Sequence, residues 1–167
     1  IHWLRSYSEY AEDVKSWWEA GCPDWEELRT EALTLLQREE RLQQIVKLVG
    51  PDVLPDSQRL ILFIAEIFKD GFLAQSAFDE NDMYCSPEKQ VALLRLILTL
   101  YHRGRDMIQE GVPLAKVTGM DCVSEVLRAK AATSNKELHR VEELARRLGE
   151  EADELERQYM KGATCYE

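Results

Sequence analysis

Glycine and proline are scarce in this chain of 167 residues, 8 and 5 respectively, and they fall as punctuation between long periodic runs. Beta signals are scarce as well, which argues against a protein built of short strands. Long apolar stretches are missing too: the longest, Leu60 to Ala65, ends at Glu66 after six residues. A bilayer-spanning helix needs about 20 apolar residues, so no membrane span is expected. No basic stretch followed by an apolar one leads the chain, so no secretory signal is expected, and the opening at Ile1 suggests a piece of something longer. Positive charge is in short supply, with 21 Lys and Arg against 31 Asp and Glu and a formal charge of −10. Phosphate backbones and anionic lipid surfaces draw affinity from clustered cations, so neither nucleic acid nor direct membrane contact is expected.

Local chemistry is equally sparse. None of the glycines sits in G-x-x-x-x-G-K-[ST] or G-x-G-x-x-G, so a phosphate-cradling loop is absent. His2, His102 and His139 are scattered, without H-E-x-x-H or a Glu three residues before any of them, and no metal site follows. The cysteines Cys22, Cys85, Cys122 and Cys165 lie far apart with no C-x-x-C, which reads as four free thiols in a reducing, cytosolic compartment. The acid pairs Glu39-Glu40 and Glu142-Glu143 read as solvated helix faces. No catalytic residue emerges, and nothing local argues for a self-contained enzyme.

What is abundant is helical periodicity, in a chain that is 45% hydrophobic and long enough to bury a core. A first helix is expected over Ser8 to Ala20, stopped at Gly21-Cys22-Pro23. Asp24 then opens a second, with Glu27 as its capping-box partner and a stripe through Leu28, Ala32, Leu35, Leu36, Leu42, Ile45, Val46 and Val49. Gly50-Pro51 ends it, because proline disfavours helix in the residue before it. A third begins near Asp56 or Ser57, and Gly71 to Ser86 is expected to be irregular. Ser86-Pro87-Glu88 is a strong helix start, and Gly111 closes that fourth helix. Short helices from Pro113 and over Cys122 to Ala131 follow.

The segment from Ser134 has another capping box with Glu137, then Leu138, Val141, Ala145, Leu148, Ala152, Leu155 and Tyr159 stepping by three and four. Glu142–Arg146, Glu143–Arg147 and Asp153–Arg157 are spaced for i,i+4 pairing. The stripe can pack along its own bundle or mediate an intermolecular coiled coil. The expected architecture is all-α, a bundle of six to seven helices with a long C-terminal amphipathic helix, divided as residues 1–131 and a tail of 132–167.

Two features stand out. The acidic turn Asp52-Val53-Leu54-Pro55-Asp56-Ser57 joins two amphipathic helices, either as an ordinary joint or as an exposed hairpin tip that contacts a partner. Gln75-Ser76-Ala77-Phe78 puts an aromatic outside any helical stripe, either as a core plug or as a stacking platform.

Several ordered blocks resemble the C-terminal region of the catalytic A subunit of V-type and archaeal-type rotary ATPases. They are Ile1-x-Trp3-x-x-Ser6-Tyr7-Ser8, Leu35-Leu36-Gln37-Arg38-Glu39, and Leu42-Gln43-x-Ile45-Val46-x-Leu48-Val49-Gly50-Pro51-Asp52-x-Leu54. Gln75-x-Ala77-Phe78, Asp82-x-Tyr84-Cys85-Ser86, Glu88-Lys89-Gln90 and Gly111-Val112-Pro113-Leu114 follow. The resemblance is good to Leu114, thin to Lys130, and the tail from Ser134 shares little with it beyond being helical.

The resemblance implies that the phosphate-binding loop, the magnesium site and the general base lie in a preceding nucleotide-binding domain. This stretch would then bind no cofactor alone, while the full-length protein uses ATP and magnesium as an ion-translocating rotary ATPase or synthase. Its role would be to couple nucleotide chemistry to rotation of the central stalk and to proton or sodium transport. The implied partners are the preceding domain, the ring's B subunits and the central stalk, in the cytoplasmic, peripheral sector of a membrane-bound complex. Asp52 to Ser57 aligns with the tip that bears on the rotor in the related F-type catalytic chain, although with fewer acids. Phe78, with Ala77 and Gln75, would line the adenine pocket, and Asp79 stands where His is common in the family. The competing expectation is a stand-alone helical adaptor that associates through the stripe of residues 134–159.

Overall fold

A computed structural model describes the backbone of residues 10–163 and the side chains of residues 10–160. The block Ile1 to Ser8, His2 and Cys165 lie outside the described residues. Among the described residues eight α-helices follow in order: α1 (Ala11–Gly21), α2 (Trp25–Val49), α3 (Asp56–Ile67), α4 (Glu80–Met83), α5 (Pro87–Gln109), α6 (Leu114–Thr118), α7 (Asp121–Ala132) and α8 (Leu138–Ala163). A 3-10 turn, Pro51–Val53, joins α2 to α3, and α3 runs on directly as a π-helical segment, Phe68–Leu73. No strand occurs among the described residues, so the all-α expectation is borne out. The additional helix is α4, in the stretch expected to be irregular.

Helix α5 is the axis of the bundle. It starts where the Ser86 hydroxyl oxygen accepts the Lys89 N–H at 3.3 Å, with Pro87 in the first turn. It ends where Gly111 takes φ +88°, which lets the Val112 N–H reach the Met107 carbonyl at 2.9 Å. Only glycine adopts that conformation without Cβ strain. Between these caps Leu93, Leu96, Ile97, Leu98, Leu100 and Met107 are buried, because α2, α3, α7 and α8 all pack against this helix.

The tail helix α8 lies along α5 and α7. Val141, Leu144, Leu148 and Ala152 join the same apolar cluster as Leu60, Leu100 and Val126. The stripe is therefore consumed inside the chain's own core, with Ala145, Leu155 and Tyr159 packed at its margin. This removes the surface on which the adaptor reading depended.

Polar contacts depart from the local rules where tertiary partners compete. Asp24 makes no side-chain cap at α2. Its carboxylate instead takes the Arg95 guanidinium of α5 and the Cys22 thiol at 3.0 Å, and is held at about 2, below the ordinary 3.8, by those two bonds. Glu39 is not solvated: it is 5% exposed and pairs with Lys69 at 2.8 Å. The arginines of α8 also skip the expected i,i+4 acids. Arg146 takes Glu143 and Glu150, Arg147 crosses to Glu125 of α7 at 2.6 Å, and Asp153 receives Arg103 of α5. Arg146 stays with acids of its own helix, whereas Arg147 and Asp153 pair across helices because packing brings α7 and α5 within reach, and i,i+4 pairing contributes only a few tenths of a kcal/mol.

Candidate functional site

The first candidate is the tip between α2 and α3. Gly50, at φ +85°, turns the chain out of α2, and the 3-10 turn follows at once. Leu54 is the buried residue of the turn. Asp56 is engaged inside the fold: its Oδ2 accepts the Leu114 N–H at 2.9 Å at the start of α6, and Arg59 lies 3.5 Å from its Oδ1. The residues left facing solvent are Asp52, Val53, Pro55 and Ser57.

The end of α2 adds to this tip. Its core stripe stops at Leu42, and Ile45 and Val49, expected in the stripe, are exposed. With Leu48 at 85% exposed and Val53 at 67%, they leave apolar side chains in solvent around the turn. Clustered exposed apolar groups mark contact surfaces more reliably than scattered ones. Leu48 was not singled out from sequence, because exposure of an apolar residue cannot be read from helical spacing alone. The signal that could have found it is its place between Ile45 and Val49 beside the glycine stop.

The second candidate is the loop after the π segment. Phe78 is 100% exposed, so the core-plug alternative is excluded for it. Ala77 is exposed beside it, whereas Gln75 works within the loop: its Nε2 donates to the carbonyls of Asp82 at 2.9 Å and Met83 at 3.3 Å. Asp79 caps α4 by accepting the N–H groups of Asn81 at 2.9 Å and Asp82 at 3.2 Å. Beneath the loop lie three buried charged side chains: Asp82, Lys89 and Lys130. Lys89 Nζ donates to the Asn81 carbonyl at 2.7 Å, and Lys130 Nζ stands 2.9 Å from Asp82 Oδ1.

Tip and loop are not brought together. They occupy opposite ends of α3 and its π-helical continuation, and the 12 residues of α3 alone separate them by about 18 Å of helix rise. Gly71 within the π segment lies against the Leu127 backbone of α7, where an added Cβ would stand 3.1 Å from its carbonyl oxygen. That close approach ties the strut to the bundle.

Among the described residues no group of three or more His, Cys, Asp and Glu could hold a metal ion. His102 is occupied, with Nε2 at 2.5 Å from Glu31 Oε1. Cys22, Cys85 and Cys122 are free thiols, and burial and hydrogen bonding to Glu151 push Cys122 up to about 12, away from nucleophilic use. No described helix is long and apolar enough to cross a membrane.

A helical body with an apolar tip at one end of a strut and a solvent-facing aromatic at the other is an all-α domain with two separate exposed features. The comparisons make this specific. The chain belongs to the family described as the C-terminal domain of V and A type ATP synthase, whose family model matches residues 15–118. It is 43% identical over 156 residues to the A subunit of the A-type ATP synthase of Methanopyrus kandleri, covering 93% of this chain and 26% of that protein. It is 43% identical over 162 residues to the V-type ATP synthase alpha chain of Halothermothrix orenii, covering 96% and 28%. For the A subunit of the A-type ATP synthase of Pyrococcus horikoshii the figures are 39% over 160 residues, covering 95% and 16%.

These alignments cover too much of the chain to omit the tail, so the similarity extends into α8, further than the sequence blocks implied. The chain spans between 16% and 28% of the length of these relatives.

Proposed function

We propose that this domain couples nucleotide binding in the preceding domain of its own polypeptide to movement of a central stalk, and through it to proton or sodium transport. The observation that carries the reading is mechanical: one continuous element, α3 with its π extension, joins the apolar tip to the Phe78 loop. A strut held by core residues Leu60, Ile64, Ile67 and Phe68 moves as a body, so displacement at one end is delivered to the other. In this reading Phe78, with Ala77 beside it, faces the adenine of ATP, and Gln75 shapes the loop. The triphosphate and magnesium belong to the upstream domain, and neighbouring B subunits complete the ring. The assembly is the cytoplasmic, peripheral sector of a membrane-bound complex.

At the tip, what supports contact by shape is that Asp56 is already committed to Leu114 and Arg59, while Val53 and Leu48 are bare. Residues Asp52 to Ser57 would bear on the shaft through apolar surface, with Asp52 the one acid of the turn not spent on α6 and Arg59. The decisive experiment is Leu48→Asp with Val53→Asp in the assembled complex. ATP hydrolysis should persist while ion pumping falls. Hydrolysis and pumping that decline in equal proportion, or not at all, would sink the coupling role of the tip. For the loop, Phe78→Ala should raise the KM for ATP by about 5- to 150-fold, the worth of one base–aromatic stack. An unchanged KM would remove Phe78 from the nucleotide site.

A further inference from the structure

We infer that Lys130 of α7, with Asp82, is the positioning residue that holds the Phe78 loop in its nucleotide-facing shape; the inference rests on the reading of Phe78 given above. An ammonium group has three N–H donors and no acceptor. Lys130 brackets the loop with two hydrogen bonds and one ion pair, Asp82 Oδ1 taking the charge without a hydrogen bond. Its Nζ donates to the Phe72 carbonyl at 3.2 Å and to the Ala74 carbonyl, where the π segment ends, and pairs with Asp82 Oδ1 at 2.9 Å beyond the loop. The other carboxylate oxygen of Asp82, Oδ2, accepts the Ser76 N–H at 2.7 Å. One buried cation therefore closes residues 74–82 into a ring, with Phe78 at the centre of its outer edge.

The neighbours repeat the arrangement. The Asn81 side chain donates to the Ala131 carbonyl at 2.8 Å, next to Lys130, and Lys89 Nζ takes the Asn81 carbonyl. The loop is thereby bonded to α5 and α7, whereas the Phe78 ring itself is solvent-exposed. A buried ion pair is a poor source of net stability, since a matched apolar or neutral pair often does as well. What it supplies is direction: each acceptor has one position that satisfies the ammonium. A side chain that must stack on a flat ring needs that restriction, because an exposed aromatic on a free loop loses part of its stacking energy in ordering the loop.

Removing Lys130 alone strands the buried Asp82 charge and can unfold the domain. The informative variant is therefore the neutral pair Asp82→Asn with Lys130→Met, in the full-length protein within its complex. The KM for ATP should rise roughly fivefold or more, the lower bound for losing one stack, with the loss in KM and not in kcat. Adding the pair to Phe78→Ala should cause no further rise, since the clamp acts only through that ring. An unchanged KM for the pair, where Phe78→Ala raises it, overturns the inference, as does a further rise in the triple variant. If Phe78→Ala itself has no effect, the nucleotide reading fails and the clamp is judged on amide exchange. Exchange at residues 74–82 quickened in the pair variant, with the rest of the domain unmoved, upholds the clamp; unchanged exchange there overturns it.

Discussion

Leu148→Ala tests whether the tail helix is a working part of the domain core. Leu148 is 0% exposed and packs in the cluster that α8 shares with α3, α5 and α7. Truncation removes three carbons, worth about 0.8 kcal/mol each, or about 2.4 kcal/mol of transfer energy. A residual cavity of roughly 60 Å³ adds about 1.4 kcal/mol at about 24 cal/mol per Å³. The expected cost is thus about 4 kcal/mol, a fall in Tm of about 8–16 °C for a domain of this size. Urea titration followed by tryptophan fluorescence measures it, with Trp18 and Trp25 stacked at 5.4 Å on the α1–α2 junction as reporters. Leu48→Ala serves as the control; at 85% exposed it should cost less than about 0.5 kcal/mol. The midpoint should not change over a hundredfold dilution, because Leu148 is packed within one chain. A cost below about 1 kcal/mol, or a midpoint that falls on dilution, would refute the intrachain packing of α8.

Two further outcomes follow from particular contacts. Asp24 is held at about 2, below the ordinary 3.8, by Arg95 and Cys22, so its contribution to stability is complete above the ordinary value and is lost as pH falls from about 4 towards 2. Carboxyl NMR titration should show that low midpoint, and Arg95→Ala should return it to the usual carboxylate range. Since the pair is well exposed, the associated stability is small and salt-sensitive. Gly71→Ala should cost about 1–3 kcal/mol by urea titration, because the new Cβ meets the Leu127 backbone carbonyl at 3.1 Å and a backbone group cannot step aside as a side chain can; a neutral effect would show that the π segment is loosely seated on α7.

Which parts were legible in the sequence follows from how far each signal reaches along the chain. Ser86-Pro87 and Gly111 fix the ends of α5 through interactions completed within a few residues. The 3.6-residue period of α8 likewise marks its buried face, since Val141, Leu148 and Ala152 fall on one stripe under any helical packing. The Asp24–Glu27 spacing fitted a capping box equally well, yet Arg95, distant by 71 positions, is a stronger partner for that carboxylate. Glu39 looked like half of a solvated acid pair until Lys69 came beside it from the π segment. Such failures share one cause: a charged side chain chooses among all partners within reach, and reach is set by helices the local spacing does not describe.

For the candidate site the division is similar. Sequence by itself determined that the chain is helical, where its helices stop, that it carries no phosphate-cradling loop, and which family its ordered blocks resemble. It also marked Phe78 as an aromatic outside every stripe, while leaving core plug and platform both open. Tertiary structure alone decided that Phe78 stands in solvent, that Asp56 is spent inside the fold, and that Leu48 and Val53 are left bare. It alone placed Lys130 under a loop that precedes it by 48 to 56 positions. Periodicity reports which face of a helix is apolar, but exposure and charge pairing depend on what covers that face, and only the packed fold supplies the cover.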